Sequence, residues 1–215
     1  MTDTQTPTLE IHTLPVGDLE SNCYLVVDPE SRKALLVDPG GDGEKIERWV
    51  SEKGADVEAI LITHGHADHI GALEFAKEHL SVPVGIHQKD SDCLSDPMLN
   101  LSAFFSPFTS PEADFFVEEG AFDRWSGPVL QILHTPGHSP GSISILGDGW
   151  VICGDVLFKG SIGRTDFPRS SLQQIHESIR EKLMSLPPDT VVYPGHGPST
   201  TIGEEKESNP FLHLG

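Results

Sequence analysis

Cations are scarce in this chain, cysteine is scarcer, and no apolar run is long. Among 215 residues, 14 Lys and Arg face 33 Asp and Glu, for a formal charge of −19. Attraction to phosphate supplies most non-specific nucleic-acid affinity, so a nucleic-acid partner is not expected. No stretch reaches the roughly 20 apolar residues that cross a bilayer, so no membrane partner is expected either. The polar start, Met1 to Pro7, lacks the apolar core of an export signal, and a cytoplasmic location follows as an expectation. Cysteines number 3, an odd count. Cys23 and Cys153 lie in apolar runs and read as buried, inert thiols, Cys93 lies among polar residues, and a disulfide framework is not expected. No Ser/Gly-rich linker or block of charge interrupts the chain, which predicts one domain over residues 1–215.

Histidine is what the chain does have, and its placement carries the chemistry. The run Thr63-His64-Gly65-His66-Ala67-Asp68-His69 follows the apolar segment Ala59 to Ile62, a predicted strand, and precedes Ile70 to Ala76, a predicted helix start. His64 and His66 are two apart in extended chain and can present both imidazoles on one side. Asp68 and His69 leave at the helix start in another direction and can hold a second ion. Downstream, His138, Asp155 and His196 each sit beside glycine or proline just after a predicted strand: Leu130 to Leu133, Trp150 to Cys153 and Thr190 to Tyr193. Loops that converge at strand carboxyl ends are where open sheets bind ligands. Two-metal hydrolytic sites hold their ions roughly 3.5–4 Å apart, and Asp155 with its two oxygens is the natural bridge. His12, His79, His87, His176 and His213 stand alone and receive no role. His134 shares a turn with His138 and reads as a structural or supporting residue.

The coarse order of elements is strands from Leu9 to Val37, a helix near Gly43 to Lys53, the histidine turn, and a helix to about Leu80. Strands then recur before a helix from Ser171 to Met184, where Leu172, Ile175, Ile179 and Leu183 repeat at helical spacing. Both halves read as strands followed by a helix, which suits two sheets packed face to face with helices outside.

These residues resemble the metallo-β-lactamase-fold hydrolases, whose His-x-His-x-Asp-His signature matches His64, His66, Asp68 and His69, with His138, Asp155 and His196 following in order. The segments Asn22 to Val26, Val37 to Gly41, Lys159 to Pro168 and Asn209 to Leu212 resemble the short branch similar to glyoxalase II, the hydroxyacylglutathione hydrolases. The resemblance implies an α/β fold, a four-layer αββα sandwich of two mixed sheets with helices on the outer faces. It also implies two divalent metal ions, zinc first with iron or manganese as alternatives. His64, His66 and His138 would hold one ion, Asp68, His69 and His196 the other, and Asp155 would bridge them. Asp38, at a strand end before Pro39-Gly40, matches the carboxylate that supports these ligands, and a turn-forming Asp is its alternative reading. The nuclease branch of the fold is disfavoured by charge. A β-lactamase is disfavoured because the family's common lactamase sites use a cysteine ligand where Asp155 stands.

The activity implied is hydrolysis of a small acyl-thiol such as S-lactoylglutathione, with a metal-bridging hydroxide as nucleophile and Asp68 as an orienting group. A thiolate leaves without a strong general acid because thiol pKa values lie near 8.5. Only residues 197–215 follow His196, too few for the helical glutathione-binding domain of longer glyoxalase II enzymes. Phe158, Lys159, Arg164 and Tyr193 are then the candidate wall residues. Arg164 would grip a substrate carboxylate or else pair with Asp166. The phenylalanines between Leu99 and Phe116 suit a lid, a subunit contact or core packing. One alternative is a mononuclear iron persulfide dioxygenase, which shares Gly163 to Phe167 but typically carries a cysteine at the position of Gly65 and Ala-His-Asp at 195–197. The other is a metal-stabilised binding module without activity, disfavoured because structural zinc sites are closed and cysteine-rich.

Overall fold

Alternation along the central strands decides the layering. In the computed structural model, which describes residues 9–212, strand β2 (Ser21–Val27) is buried along its whole length. Its Cys23, Leu25 and Val27 belong to one apolar cluster and its Tyr24 and Val26 to another. A strand buried on both faces reads as a continuous apolar run, which is why SNCYLVV shows no polar alternation. Strands β3 (Lys33–Val37) and β4 (Asp56–Ile62) divide the same way: Leu36, Ile60 and Ile62 face one side, Leu35, Val37, Ala59 and Leu61 the other.

With β1 (Glu10–Val16), β5 (Val84–Ile86) and β6 (Phe115–Phe116), these strands form a six-stranded sheet in the order β1-β2-β3-β4-β5-β6. Pairing is antiparallel from β1 to β3 and parallel from β3 to β6. The second sheet has β7 (Gly120–Phe122), β8 (Leu130–His134), β9 (Ile143–Gly147), β10 (Trp150–Gly154), β13 (Val191–Pro194) and β14 (Thr200–Thr201), in the order β14-β13-β10-β9-β8-β7. Only β10 and β13 are parallel there. Hairpin β11 (Leu157–Phe158) and β12 (Ser161–Ile162) stands apart.

The helices complete four layers, α-β-β-α. Helices α1 (Gly43–Glu52) and α3 (Leu73–Leu80) cover the first sheet through Ile46, Trp49, Leu73 and Ala76. Helices α4 (Leu172–Ser178) and α5 (Ile202–Ser208) cover the second through Ile175 and Ile202 against Val151, Cys153 and Val192. Between the sheets, Leu35, Val37 and Leu61 meet Ile132, Ile145 and Ile152. No helix of the described residues is long and apolar enough to cross a membrane.

Two helices depart from the sequence expectation. The helix expected from Ile70 is split into α2 (Ala67–Ile70) and α3, because the Ala72 N–H donates to Pro39 O at 2.8 Å instead of continuing a helical ladder. The helix after Ser171 winds into a π-helical turn over Ile179–Leu183. Its Ile175, Ile179 and Leu183 are buried as the spacing requires, but Leu172, in the first turn, is 56% exposed. Ser171 caps α4 by accepting from the Gln174 N–H at 3.3 Å.

Candidate metal centre

The strand ends of both sheets meet along one edge. His64 leaves β4, His138 lies in the turn after β8, Asp155 follows β10 and His196 follows β13. Backbone bonds join the edge: Ile143 N donates to Thr63 O at 2.9 Å, Gly195 N to Gly154 O at 2.7 Å and Asn22 N to Gly195 O at 2.7 Å. Asp155 is aimed by a register shift in the pairing of β10 with β13, between Ile152 and Gly154. Gly154 has φ +50°, a left-handed conformation that glycine tolerates. Irregular pairing next to an active site commonly re-aims a side chain in this way.

Seven of the sequence-predicted residues converge. His64, His66 and His138 form one trio and Asp68, His69 and His196 another, with the ligand atoms of each trio within 4.8 Å of one another. Asp155 lies between them: its Oδ1 is 3.4 Å from His69 Nε2, and its Oδ2 is 3.5 Å from His138 Nε2 and 3.7 Å from His196 Nε2. The rings of His64 and His69 are 4.2 Å apart at their centroids, so the trios are adjacent.

Hydrogen bonds on the far side of the rings decide which nitrogen each histidine offers. His138 Nδ1–H donates to Arg164 O at 2.8 Å, His196 Nδ1–H to Leu19 O at 3.1 Å and His69 Nδ1–H to Asp38 Oδ2 at 2.9 Å. The Thr63 hydroxyl donates to Asp38 Oδ2 at 2.6 Å and accepts from His64 Nδ1–H at 3.1 Å. All four leave Nε2 facing the centre. His66 differs: its Nδ1 faces His138 Nε2 at 2.9 Å. Asp38, placed by sequence behind the ligands, also accepts from the Thr63 N–H at 2.7 Å, so it supports both trios. It holds φ +52°, a conformation that Asp visits more readily than most residues.

Charge divides the trios. Burial pushes the His64 imidazole well below its ordinary pKa, and burial with the neighbouring His138 brings His66 down to about 3, so both stay neutral donors. Burial acts the same way on His69 and His196, but the carboxylates of Asp68 and Asp155 outweigh it and raise both. Asp155 and Asp68, although burial opposes it, are held ionised by the facing imidazoles.

A cation fits this arrangement on grounds internal to it. Three buried polar atoms have no hydrogen-bond partner among the described residues: His64 Nε2, His69 Nε2 and Asp155 Oδ1. An unsatisfied buried group costs about 1–3 kcal/mol, and here three lone-pair donors are aimed into one space. Imidazole and carboxylate together suit first-row divalent ions.

The centre forms the floor of a cavity of about 1110 Å³, walled by Leu19, Leu101, Phe104, Phe105, Phe158 and Phe167 among others. Residues 16–196 match the metallo-beta-lactamase superfamily model, 181 positions of 215. The chain belongs to this superfamily. A probable metallo-hydrolase of Bacillus subtilis, YqgX, is 43% identical over 205 residues, 93% of this chain and 96% of that protein. The hydroxyacylglutathione hydrolase GloC of Haemophilus influenzae is 38% identical, covering 95% of this chain and 99% of its own. Among solved structures, the BLEG-1 B3 metallo-β-lactamase superposes with a TM-score of 0.92 at 38% identity, covering 96% of this chain and 100% of that one. TTHA1623 in a di-iron-bound form superposes with a TM-score of 0.85 at 37% identity, covering 94% and 100%.

Within this superfamily member the expected wall residues fare differently. Phe158, Lys159 and Arg164 line the cavity. Tyr193 does not: its ring packs edge-on against Tyr24 at 5.7 Å in the layer between the sheets. Strand alternation is the reason, since in β13 Val191 and Tyr193 face the inter-sheet layer while Val192 faces α4. Arg164 lines the cavity with its fork already taken: Nε and Nη2 donate to Asp166 at 2.9 and 2.7 Å, and the guanidinium lies 4.4 Å from the Phe167 ring centroid. Lys159 sits 3.7 Å from Glu204. His134 Nε2–H donates to Pro140 O at 2.9 Å, its backbone N–H donates to Glu119 Oε2 at 3.2 Å, and its ring stacks on His87. His213 and Met1 to Pro7 lie outside the described residues.

Sequence reasoning missed Asp90. Fully buried, it accepts from the Gly65 N–H at 3.0 Å, the Gly141 N–H at 2.7 Å and the Ser139 hydroxyl at 2.5 Å, tying the His64–His66 turn to the His138 turn. A single acidic residue between Lys89 and Ser91 carries no spacing signal. Asn22 holds the other side, donating to Pro194 O at 3.0 Å and Gly197 O at 2.9 Å around His196.

Proposed function

We propose that this metal-dependent hydrolase cleaves thioesters of small acyl-thiols in the manner of glyoxalase II, with one divalent cation held by His64, His66 and His138, a second by Asp68, His69 and His196, and Asp155 between them. The observation that carries the reading is the Asp155 carboxylate set among histidines of both trios, at 3.4 to 3.7 Å. Likeness to GloC over nearly all of both chains supports the thioester, and likeness to di-iron TTHA1623 supports iron beside zinc and manganese as the metal.

A pair of divalent cations supplies a water of lowered pKa and polarises the acyl carbonyl. The protein's own residues do the rest. The far-side hydrogen bonds of His138, His64, His69 and His196 make Nε2 the nitrogen each would turn to a cation, and His69 and His196, which the carboxylates of Asp68 and Asp155 hold toward the protonated form, would release a proton as it binds. Asp68 lines the cavity and is held ionised, which lets it accept a hydrogen bond from a water on the floor and orient it. Phe158 and Phe167 exclude bulk water beside the ligands, with Phe167 edge-on to His66 at 5.5 Å and to His138 at 5.9 Å. The departing thiolate needs no acid.

Two other reactions have a specific observation attached. BLEG-1 is named a B3 metallo-β-lactamase, so β-lactam opening is the reaction to assay alongside. Against persulfide oxidation stands the backbone at Gly65, where a Cβ would lie 2.4 Å from Cys93 Cβ, leaving no room for the cysteine typical of those enzymes. The deciding experiment is metal analysis of protein purified without chelators, with thiol release from S-lactoylglutathione, opening of a chromogenic cephalosporin and oxygen uptake with glutathione persulfide measured in parallel. Two metals per chain with thiol release dominant is the expected result. One iron per chain with oxygen consumption overturns it.

A further inference from the structure

The cavity wall says more about the substrate than its floor does. Phe104 and Phe105 are each 67% exposed at the mouth and Leu19 is 59% exposed. Large apolar side chains displayed together at a pocket rim mark a binding surface. They are not displayed by slack. Asn100, fully buried at the base of the segment, donates from Nδ2 to Cys93 O at 3.0 Å and accepts from the Ser102 N–H at 2.9 Å, while Ser102 Oγ accepts from the Phe108 N–H at 3.1 Å. The Ala67 N–H donates to Asn100 O at 2.8 Å, which fixes this base to the metal-binding turn itself. Leu101 holds φ +71°, a conformation costly for leucine, where the chain turns into the cavity wall. Of the other phenylalanines of the segment, Phe108 and Phe115 pack on the two faces of the first sheet, and Phe116 is an exposed residue of β6 away from the cavity wall.

The cations of the wall are already paired. Among the described lining residues they are Arg164, doubly bonded to Asp166, and Lys159, beside Glu204. With a formal charge of −19 over the chain, an anionic limb gains little here. An apolar limb would cover Phe104, Phe105 and Leu101.

Building on the thioesterase reading, we infer that the preferred substrate carries a bulky apolar limb, aliphatic or aromatic, on one side of its thioester, received by the wall of Leu19, Leu101, Phe104, Phe105, Phe158 and Phe167. The shared chemistry is the apolar limb, and it can belong to the acyl or to the thiol half. Two substrate series separate these. One lengthens the acyl chain from acetyl to octanoyl on N-acetylcysteamine, below the micellar range, and the other varies the thiol at constant acetyl. In one series kcat/KM rises about two- to fourfold per added methylene until the wall is filled. In the double variant Phe104→Ser/Phe105→Ser, checked for an unchanged melting temperature, that rise flattens. Flat profiles in both series, with thiol release from short substrates intact, overturn the inference and leave the thioesterase reading standing. Flat profiles with self-association that the double variant abolishes overturn it in favour of a subunit contact. Absence of thiol release from every member overturns the thioesterase reading, and the inference with it.

Discussion

The two ligand trios are built from the same parts and differ in kind. His64, His66 and His138 are all buried and carry no carboxylate, and their turns are tied together by Asp90. Asp68, His69 and His196 include a carboxylate and are partly open to the cavity, and a charge pair at 3.0 Å links Asp68 to His196. Each takes two members from the turn 64–69 and its third from a loop of the second sheet. The turn alone therefore completes neither trio. What makes the centre is the packing of one sheet on the other, through Leu35, Val37 and Leu61 against Ile132, Ile145 and Ile152.

Asp155 is where the comparison breaks most completely, because its carboxylate faces the Nε2 atoms of His138 in one trio and of His69 and His196 in the other. Asp155→Ala is expected to lower the metal content of the purified protein below two per chain and to reduce thiol release to background, both read on one preparation. Asp90→Ala strikes the first trio alone. It strands the buried N–H groups of Gly65 and Gly141, each worth about 1–3 kcal/mol, so the melting temperature falls together with metal affinity, by about 10–100-fold for one of two ions in a chelator competition. Asp38→Asn acts mainly on the second. An amide nitrogen turned toward His69 donates where the carboxylate accepted, moves the ring proton to Nε2 and weakens that cation within a similar range of about 10–100-fold, with less loss of stability because the Thr63 N–H still donates to the remaining oxygen. Lys159→Ala is the smallest change: its partner Glu204 is exposed, exposed pairs contribute about 0–1 kcal/mol, and kcat/KM toward S-lactoylglutathione is expected to move by less than about threefold.

Legibility in the sequence followed the same division. Ligands announced by short spacing or by a strand end, from His64 to His69 and at His138, Asp155 and His196, stood out because each follows an apolar run into a Gly- or Pro-punctuated turn. Four layers were foreseeable because each half reads as strands followed by a helix and because the motifs resemble those of the metallo-β-lactamase fold. Asp90 was not, since its function comes from two turns brought together across the sheets, and no local pattern encodes that meeting. Tyr193 misled because nearness in sequence to His196 is not nearness to the cavity: one step along a strand reverses the direction of a side chain. Arg164 was legible in both of its readings, and the bidentate bond to Asp166 is the one the fold adopts. The aromatic segment could not be divided from sequence, because Phe108 and Phe105 differ only in which side of a hydrogen-bonded loop they leave.

The most direct test is a crystal of protein purified without chelators, measured at the absorption edge of the metal found in it. Two anomalous peaks roughly 3.5–4 Å apart, one beside each trio and with an Asp155 oxygen between them, are the expected result. A single peak, or two peaks with Asp155 in contact with neither, contradicts the account.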